Sequence, residues 1–215
     1  MGSAEFDTYK KQLSIYSHLV IYGHAADEQL TIQIQEEIET LWNEPSAVVM
    51  ISKIPTLVRF HITAEFKPDI SNLEIYQNTD PKNNYFRIEE YALGNISFVD
   101  GVGCNSGFFK LENLYKGSTT AAHEYGHTLG LDHPKVLDIR GQGVPGIMYP
   151  RGTIVEAQYQ YDSTKPAGVT GGTMHPMYRK VMAEDIEQLK LHKLRFQNSQ
   201  SIVGEFTNVY HLPHV

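Results

Sequence analysis

The run Ala122-His123-Glu124-Tyr125-Gly126-His127-Thr128-Leu129-Gly130-Leu131-Asp132-His133 gathers the residue types of a hydrolytic metal site. His123 and His127 are four positions apart, so on a helix they share one face, one turn apart. Two imidazoles so placed can hold one zinc ion at about 2.0–2.1 Å each. Glu124 follows the first histidine and can reach a water on the metal without itself being a ligand. Gly130 can adopt the left-handed conformation that turns the chain sharply and brings His133 back as a third ligand. Three protein nitrogens leave one coordination position for water, which a hydrolytic zinc site requires and a purely structural one fills. A lone histidine is more often packed or solvated than metal-bound. The five-residue set at these offsets, however, has a chance frequency on the order of one in ten thousand for such a chain, so the metal reading outweighs the bland one.

Several elements must position this run. β-branched and aromatic residues over 13–22 predict a strand that Gly23 ends. Leu30, Ile34, Ile38 and Leu41, with Trp42 beside them, predict a core-packing helix over 26–43, with Glu28, Glu36, Glu37 and Glu39 mainly outside the stripe. Glu44-Pro45 closes it. Strand-like runs follow at 47–51 and 56–66. A segment rich in Asn, Asp and Pro then leads to further strand-like runs at 85–91, 96–99 and 108–111. Ser118 or Thr119 is a good N-cap for the helix carrying the histidines, and Gly130 marks its end. Residues 134–177 show little periodicity and many prolines and glycines, the pattern of a functional or disordered loop. A last helix is predicted over 182–196, with Ile186, Leu189 and Leu194 inward and Glu184 and Asp185 in its first turn. The predicted order is β-α-β-β-β-β-α, irregular chain, then α.

The HExxHxxGxxH pattern of His123, Glu124, His127, Gly130 and His133 resembles the signature of the metzincin clan of zinc endopeptidases. Gly146-Ile147-Met148-Tyr149-Pro150 looks like the clan's Met-turn, and resembles the matrixin form in which Tyr-Pro follows the methionine. Met174-His175-Pro176-Met177-Tyr178 is a rival for that turn, with a poorer local match. The resemblance implies an α+β catalytic domain: a twisted, mostly parallel mixed sheet with an active-site helix and a C-terminal helix. It implies an upper part at about 7–132 and a lower part at about 133–215; Met1–Phe6 reads separately, from its own residues, as an appended non-native stretch. It implies one catalytic Zn2+ on His123, His127 and His133, with Glu124 as general base toward a metal-bound water that attacks internal peptide bonds. Met148 would floor the site, and Tyr149 and Pro150 would wall the pocket for the residue after the cut. The substrate would lie extended along a sheet edge within 96–109. There are departures. Pro150 stands where the serralysin branch has a tyrosine ligand, so no tyrosine is carried over as a ligand. Asp100-Gly101-Val102-Gly103 resembles the matrixin loop for structural calcium and a second zinc, but Phe108 stands where the histidine is expected. This argues against a second zinc and leaves calcium with only a partial match.

Composition narrows the partners. The 215-residue chain is 41% hydrophobic and 20% charged, a globular composition for one domain. Its net charge of -7 disfavours a nucleic-acid surface, and the protein or peptide substrate is what the resemblance implies. No apolar run reaches the roughly 20 residues of a membrane span. The single cysteine, Cys104, cannot form an internal disulfide; it is expected as a packed thiol, with a zinc-capping role as the rival reading. Arg151 is expected as a solvated side chain or a contact for a substrate carboxylate. His211 and His214 are expected as an adventitious metal binder in a short tail. No signal peptide is visible, yet delivery outside the cell is favoured over a cytoplasmic role. Alternatives to a secreted protease are a toxin or effector module of a larger chain, a latent form blocked by Cys104, Asp138 or the C-terminal tail, and a non-catalytic zinc-containing binding module. Glu124 argues against the last, because a structural site has no use for a general base.

Overall fold

Strand-forming residues at both ends of the described chain meet at one side of the sheet. The structure is a computed structural model and describes residues 1–205, so His211 and His214 lie outside the described residues. Strand β1 (Gly2–Asp7) includes residues read from the sequence as an appended leader, and it pairs antiparallel with β2 (Gln12–Tyr22). Helix α1 (Glu28–Asn43) follows, then β3 (Val48–Ile51) and β4 (Ile54–Phe66). The turn-rich stretch after β4 contains a short helix, α2 (Asn72–Tyr76), capped by the Ser71 side chain, and leads into β5 (Asn83–Glu89). Strands β6 (Phe98–Val99) and β7 (Ser106–Lys110) precede helix α3 (Thr120–Thr128). After a long irregular segment come α4 (Ala183–Gln188) and β8 (Gln200–Val203), which pairs with β1.

The fold is α+β with a mixed sheet in the order β3-β4-β2-β5-β7-β6. Its centre is parallel: β2 pairs with β4 and β5, and β5 with β7. Its margins are antiparallel, at β3–β4, β6–β7 and β1–β2. The sheet is therefore more evenly mixed than the mostly parallel expectation. Strands β1 and β5 share one edge of β2, pairing with Gln12–Tyr16 and His18–Tyr22 in turn.

Helix α1 follows from its stripe, shifted by one position. Asp27 caps it, accepting a 2.7 Å bond from the Leu30 N–H. Thr31, Ile34, Ile38 and Trp42 are its buried residues, while Leu30 and Leu41 are only partly covered. Trp42, 1% exposed, packs its ring against Phe60 and Tyr125 at centroid distances of 5.2 and 5.6 Å. Its indole N–H donates to the Ala122 carbonyl at 3.0 Å, tying α1 to α3. Beyond the end of β3, the outer edge of β4 is satisfied by α1 side chains. Asn43 pairs with both backbone groups of Phe60, and Glu39 accepts from the Ile62 N–H at 2.8 Å. The edge is covered rather than left open for pairing.

The last helix is shorter than its apolar pattern suggests. Lys190 takes a left-handed φ of 52°, and a 3₁₀ turn at Leu191–Lys193 follows. That break buries Leu191 and Ile186, with Leu189 and Leu194 packed at the rim of the core. Among the described residues, no helix is long and apolar enough to cross a membrane.

Asp185 joins α4 to the turn before Met148. Its carboxylate accepts from the Met182 N–H at 2.8 Å and lies beside Gly146. Burial raises its pKa from 3.8 to about 6, against the lowering effect of backbone N–H groups of Met182 and Ile147. A raised carboxyl pKa contributes stability that is complete below the unfolded pKa and is lost as pH rises through the folded one. The Asp185→Asn variant lacks this titration. Its stability relative to the parent should therefore rise by on the order of 3 kcal/mol as pH goes from about 4 to 7. Urea unfolding of both proteins across that range would test this; a constant difference would refute it.

Candidate metal centre

Helix α3 is nine residues long, and all of them are buried. A helix this short is not stable alone and needs neighbours to hold it. Its N-cap, Thr119, is left-handed and makes no side-chain cap bond. The cap comes instead from α1: Glu37 Oε1 accepts from the Ala121 and Ala122 N–H groups at 3.1 and 3.4 Å. The helix ends in a Schellman arrangement. The Leu131 N–H reaches the Gly126 carbonyl at 3.1 Å, and the Gly130 N–H reaches the His127 carbonyl at 3.0 Å. Gly130 sits at φ 97°, the left-handed conformation that the motif demands.

That turn also orients a ligand. The Leu131 carbonyl accepts from Nδ1 of His127 at 2.7 Å, and the Ile147 carbonyl accepts from Nδ1 of His123 at 2.7 Å. A carbonyl can only accept, so both Nδ1 atoms carry the proton and both Nε2 atoms present a lone pair. His133 Nε2 lies 3.1 Å from each of these Nε2 atoms. With at most one proton of its own, it can satisfy one of them at most. Three nitrogens sharing a tetrahedral zinc at about 2.0–2.1 Å would stand about 3.3 Å apart. The spacing and the facing lone pairs fit a shared cation, and the three histidines lie close enough to hold a metal ion. Burial lowers the pKa of all three, well below 6.5 for His123 and to about 4 for His127, so they are neutral and ligand-competent at pH 7.

The turn at 146–149 closes on itself through the Tyr149 N–H to the Gly146 carbonyl at 3.2 Å. Met148, 2% exposed, lies under the helix between the two histidine positions: a Cβ on Gly126 would meet its sulfur at 2.4 Å. Met174 is also buried, but in a separate cluster with Ile139 and Val155. Met148 is therefore the methionine beneath the histidines. The Tyr149 ring packs against the Met174 cluster, and Pro150 faces the cleft.

A cleft of about 440 Å³ opens over the histidines. The β6 region, from Ile96 to Val99, lines it, as do Pro150 and Arg151. Strand β6 is the end strand of the sheet, which narrows the expected edge from 96–109 to its vicinity. Glu124 lines the cleft at 5% exposure and accepts no hydrogen bond from a described residue. Burial pushes its carboxyl up to about 8, against the pull of Arg179 and Arg151. A cation on the adjacent histidines would pull it down further. Cys104 is buried away from the cleft lining, and Asp138 is paired with Arg140. Asp100 holds the β6–β7 turn, accepting from the Ser106 hydroxyl.

Two residues of the site escaped the sequence reading. Arg179, 3% exposed, lines the cleft and donates to Thr119 Oγ1 at 2.9 Å and to the Tyr149 carbonyl at 3.3 Å. It joins the start of α3 to the chain after Met148. It lies between the aperiodic stretch and the last predicted helix, where the sequence gave no signal. Glu37 did have one: it lies three residues after Ile34 and four before Leu41, on the inward face. In comparisons with known proteins, no family model and no curated protein matches the chain.

The protein should bind one zinc ion per chain, and His133→Ala, at an exposed position, should weaken binding by at least the roughly 10–100-fold that loss of an outer-shell partner costs. Competition with a chromophoric chelator would measure both, and unchanged affinity would refute the three-nitrogen site. Gly126→Ala tests the floor. Alanine favours a helix by about 1 kcal/mol, but displacing Met148 should outweigh that and give a net loss of about 1–2 kcal/mol. Chemical denaturation reads the sign directly.

Proposed function

We propose that the protein is a metzincin-like zinc endopeptidase that hydrolyses internal peptide bonds of protein or peptide substrates. The observation that carries this reading is Glu124, an acid with no described hydrogen-bond partner, set beside three converging Nε2 atoms in an open cleft. His123, His127 and His133 would hold the metal, which when bound supplies Lewis acidity toward water and the scissile carbonyl.

The side chains divide the remaining work. Glu124 takes a proton from the attacking water as the new C–O bond forms. It then delivers that proton to the amide nitrogen as the C–N bond breaks. The Ile147 and Leu131 carbonyls keep two imidazoles in the tautomer that aims Nε2 at the site. Strand β6 offers backbone groups on the sheet's end edge, where an extended substrate can add as a strand. Pro150 and Arg151 also line the cleft.

A non-catalytic metal-binding module gains no support from Glu124. Such a site would leave a buried carboxylate beside the ligands with nothing to do, at a cost in desolvation.

Glu124→Gln should retain one zinc per chain and lose peptide cleavage by about 10²–10⁴-fold. Mass spectrometry of a mixed peptide library, with zinc measured on the same samples, would show it. Internal cuts that persist in the variant would exclude Glu124 as the base.

A further inference from the structure

The inner part of the cleft is crowded with hydrogen-bond donors that lack an anionic acceptor. Arg179 is nearly fully buried, yet its hydrogen bonds to described residues go to neutral oxygens: the Thr119 hydroxyl and the Tyr149 and Ser118 carbonyls, the last at 3.4 Å. A guanidinium carries five N–H donors, so two remain. Among the described residues it forms no ion pair. Arg151 also lines the cleft and has neither a hydrogen bond nor an ion pair with a described residue. Thr120 is buried against the same cleft, and its hydroxyl has no partner among the described residues.

The acids in the cleft do not fill this need. Glu124 makes no hydrogen bond to either arginine. Asp132 lies beyond the other end of α3 and accepts from the His133 N–H at 2.7 Å. Arg179 marks the N-terminal end of that helix, through Thr119 and Ser118. The cleft is thus polarised along α3, with spare cationic donors at one end. The walls above them include Phe98, Val99 and Pro150, which suit an aliphatic stem.

We propose that this end of the cleft selects a substrate side chain ending in a carboxylate, glutamate or aspartate, adjoining the scissile bond. Arg151 and Arg179 bind the carboxylate, and the Thr120 hydroxyl donates to it. The proposal rests on the endopeptidase reading for the position of the side chain but not for the existence of the anion site. Charge-assisted bonds to a guanidinium are roughly twice as strong as neutral ones, enough to set specificity in a chain whose net charge of -7 repels acids at long range.

Two readouts on the zinc-loaded protein separate the two claims. One is the cleavage profile of a proteome-derived peptide mixture. The other is the response of arginine Nε–H NMR signals to glutarate, a free dicarboxylate probe. The expected result is enrichment of Glu or Asp on one side of the cut, a glutarate response at Arg151 and Arg179, and about a tenfold loss of acidic selectivity in Arg151→Glu. Arg151 is exposed, so this variant should fold. Cuts indifferent to acidic residues, or acidic selectivity unchanged in Arg151→Glu, would overturn the proposal. A glutarate response without any cutting would sink the endopeptidase reading and keep the anion site. Neither cuts nor a glutarate response would overturn both.

Discussion

Three imidazole Nε2 atoms must face one another with at most one proton among them, and the surrounding structure is arranged to enforce it. Left free, such rings would rotate apart or take up protons. Here each Nδ1 of the helical pair is anchored to a carbonyl at 2.7 Å, and each carbonyl belongs to a turn. The Leu131 carbonyl is placed by the glycine turn that ends α3, and the Ile147 carbonyl by the turn over Met148. Both turns therefore act on the three-histidine site through tautomer and ring direction, as supporting shells of metal ligands generally do. Burial adds the same bias by keeping the rings neutral.

The helix that carries two of these rings cannot hold itself. It is too short to nucleate in isolation, and Thr119 in a left-handed conformation supplies no cap. Helix α1 supplies what is missing: Glu37 takes two N–H groups at the helix start, and the Trp42 indole binds the Ala122 carbonyl. The apolar stripe of α1 thus fixes α3 against the sheet, and two polar groups on α1 set its position along its axis. Packing alone would allow sliding, whereas directional hydrogen bonds do not.

The histidine pattern, the flanking strands and α1 were legible because each has a strong local period or a special turn residue. Gly130 was readable for the same reason, since only a left-handed residue closes that turn. The sheet margins were not. β1 and β8 are stabilised by pairing across nearly the whole chain, which local propensity does not register. The C-terminal helix was overread because Ile186, Leu189 and Leu194 keep the helical spacing after Lys190 has already broken the helix. Met148 and Met174 were distinguishable in sequence only by the local match, while in space Gly126 decides between them: its missing side chain is the room that the Met148 sulfur occupies. Arg179 lay between the aperiodic stretch and the last predicted helix, and a residue whose role is to join two distant segments leaves no local mark.

Arg179 shows how a buried acid can be tolerated without being disabled. Glu124 sits in the interior beside three neutral rings, and burial alone favours its protonated form. A direct salt bridge would stabilise the carboxylate but would also occupy the oxygens that would receive a proton in the proposed reaction. Arg179 instead spends three donors on neutral oxygens and forms no ion pair with a described residue, while its field still favours the charged form of Glu124. In a low-dielectric interior a charge several ångströms away retains much of its effect. The arrangement lets electrostatic support act through space and leaves the lone pairs of Glu124 free. The same separation leaves guanidinium donors at the lining of the cleft, so under the proposed reading support of the base and recognition of an anion would both follow from where Arg179 is held.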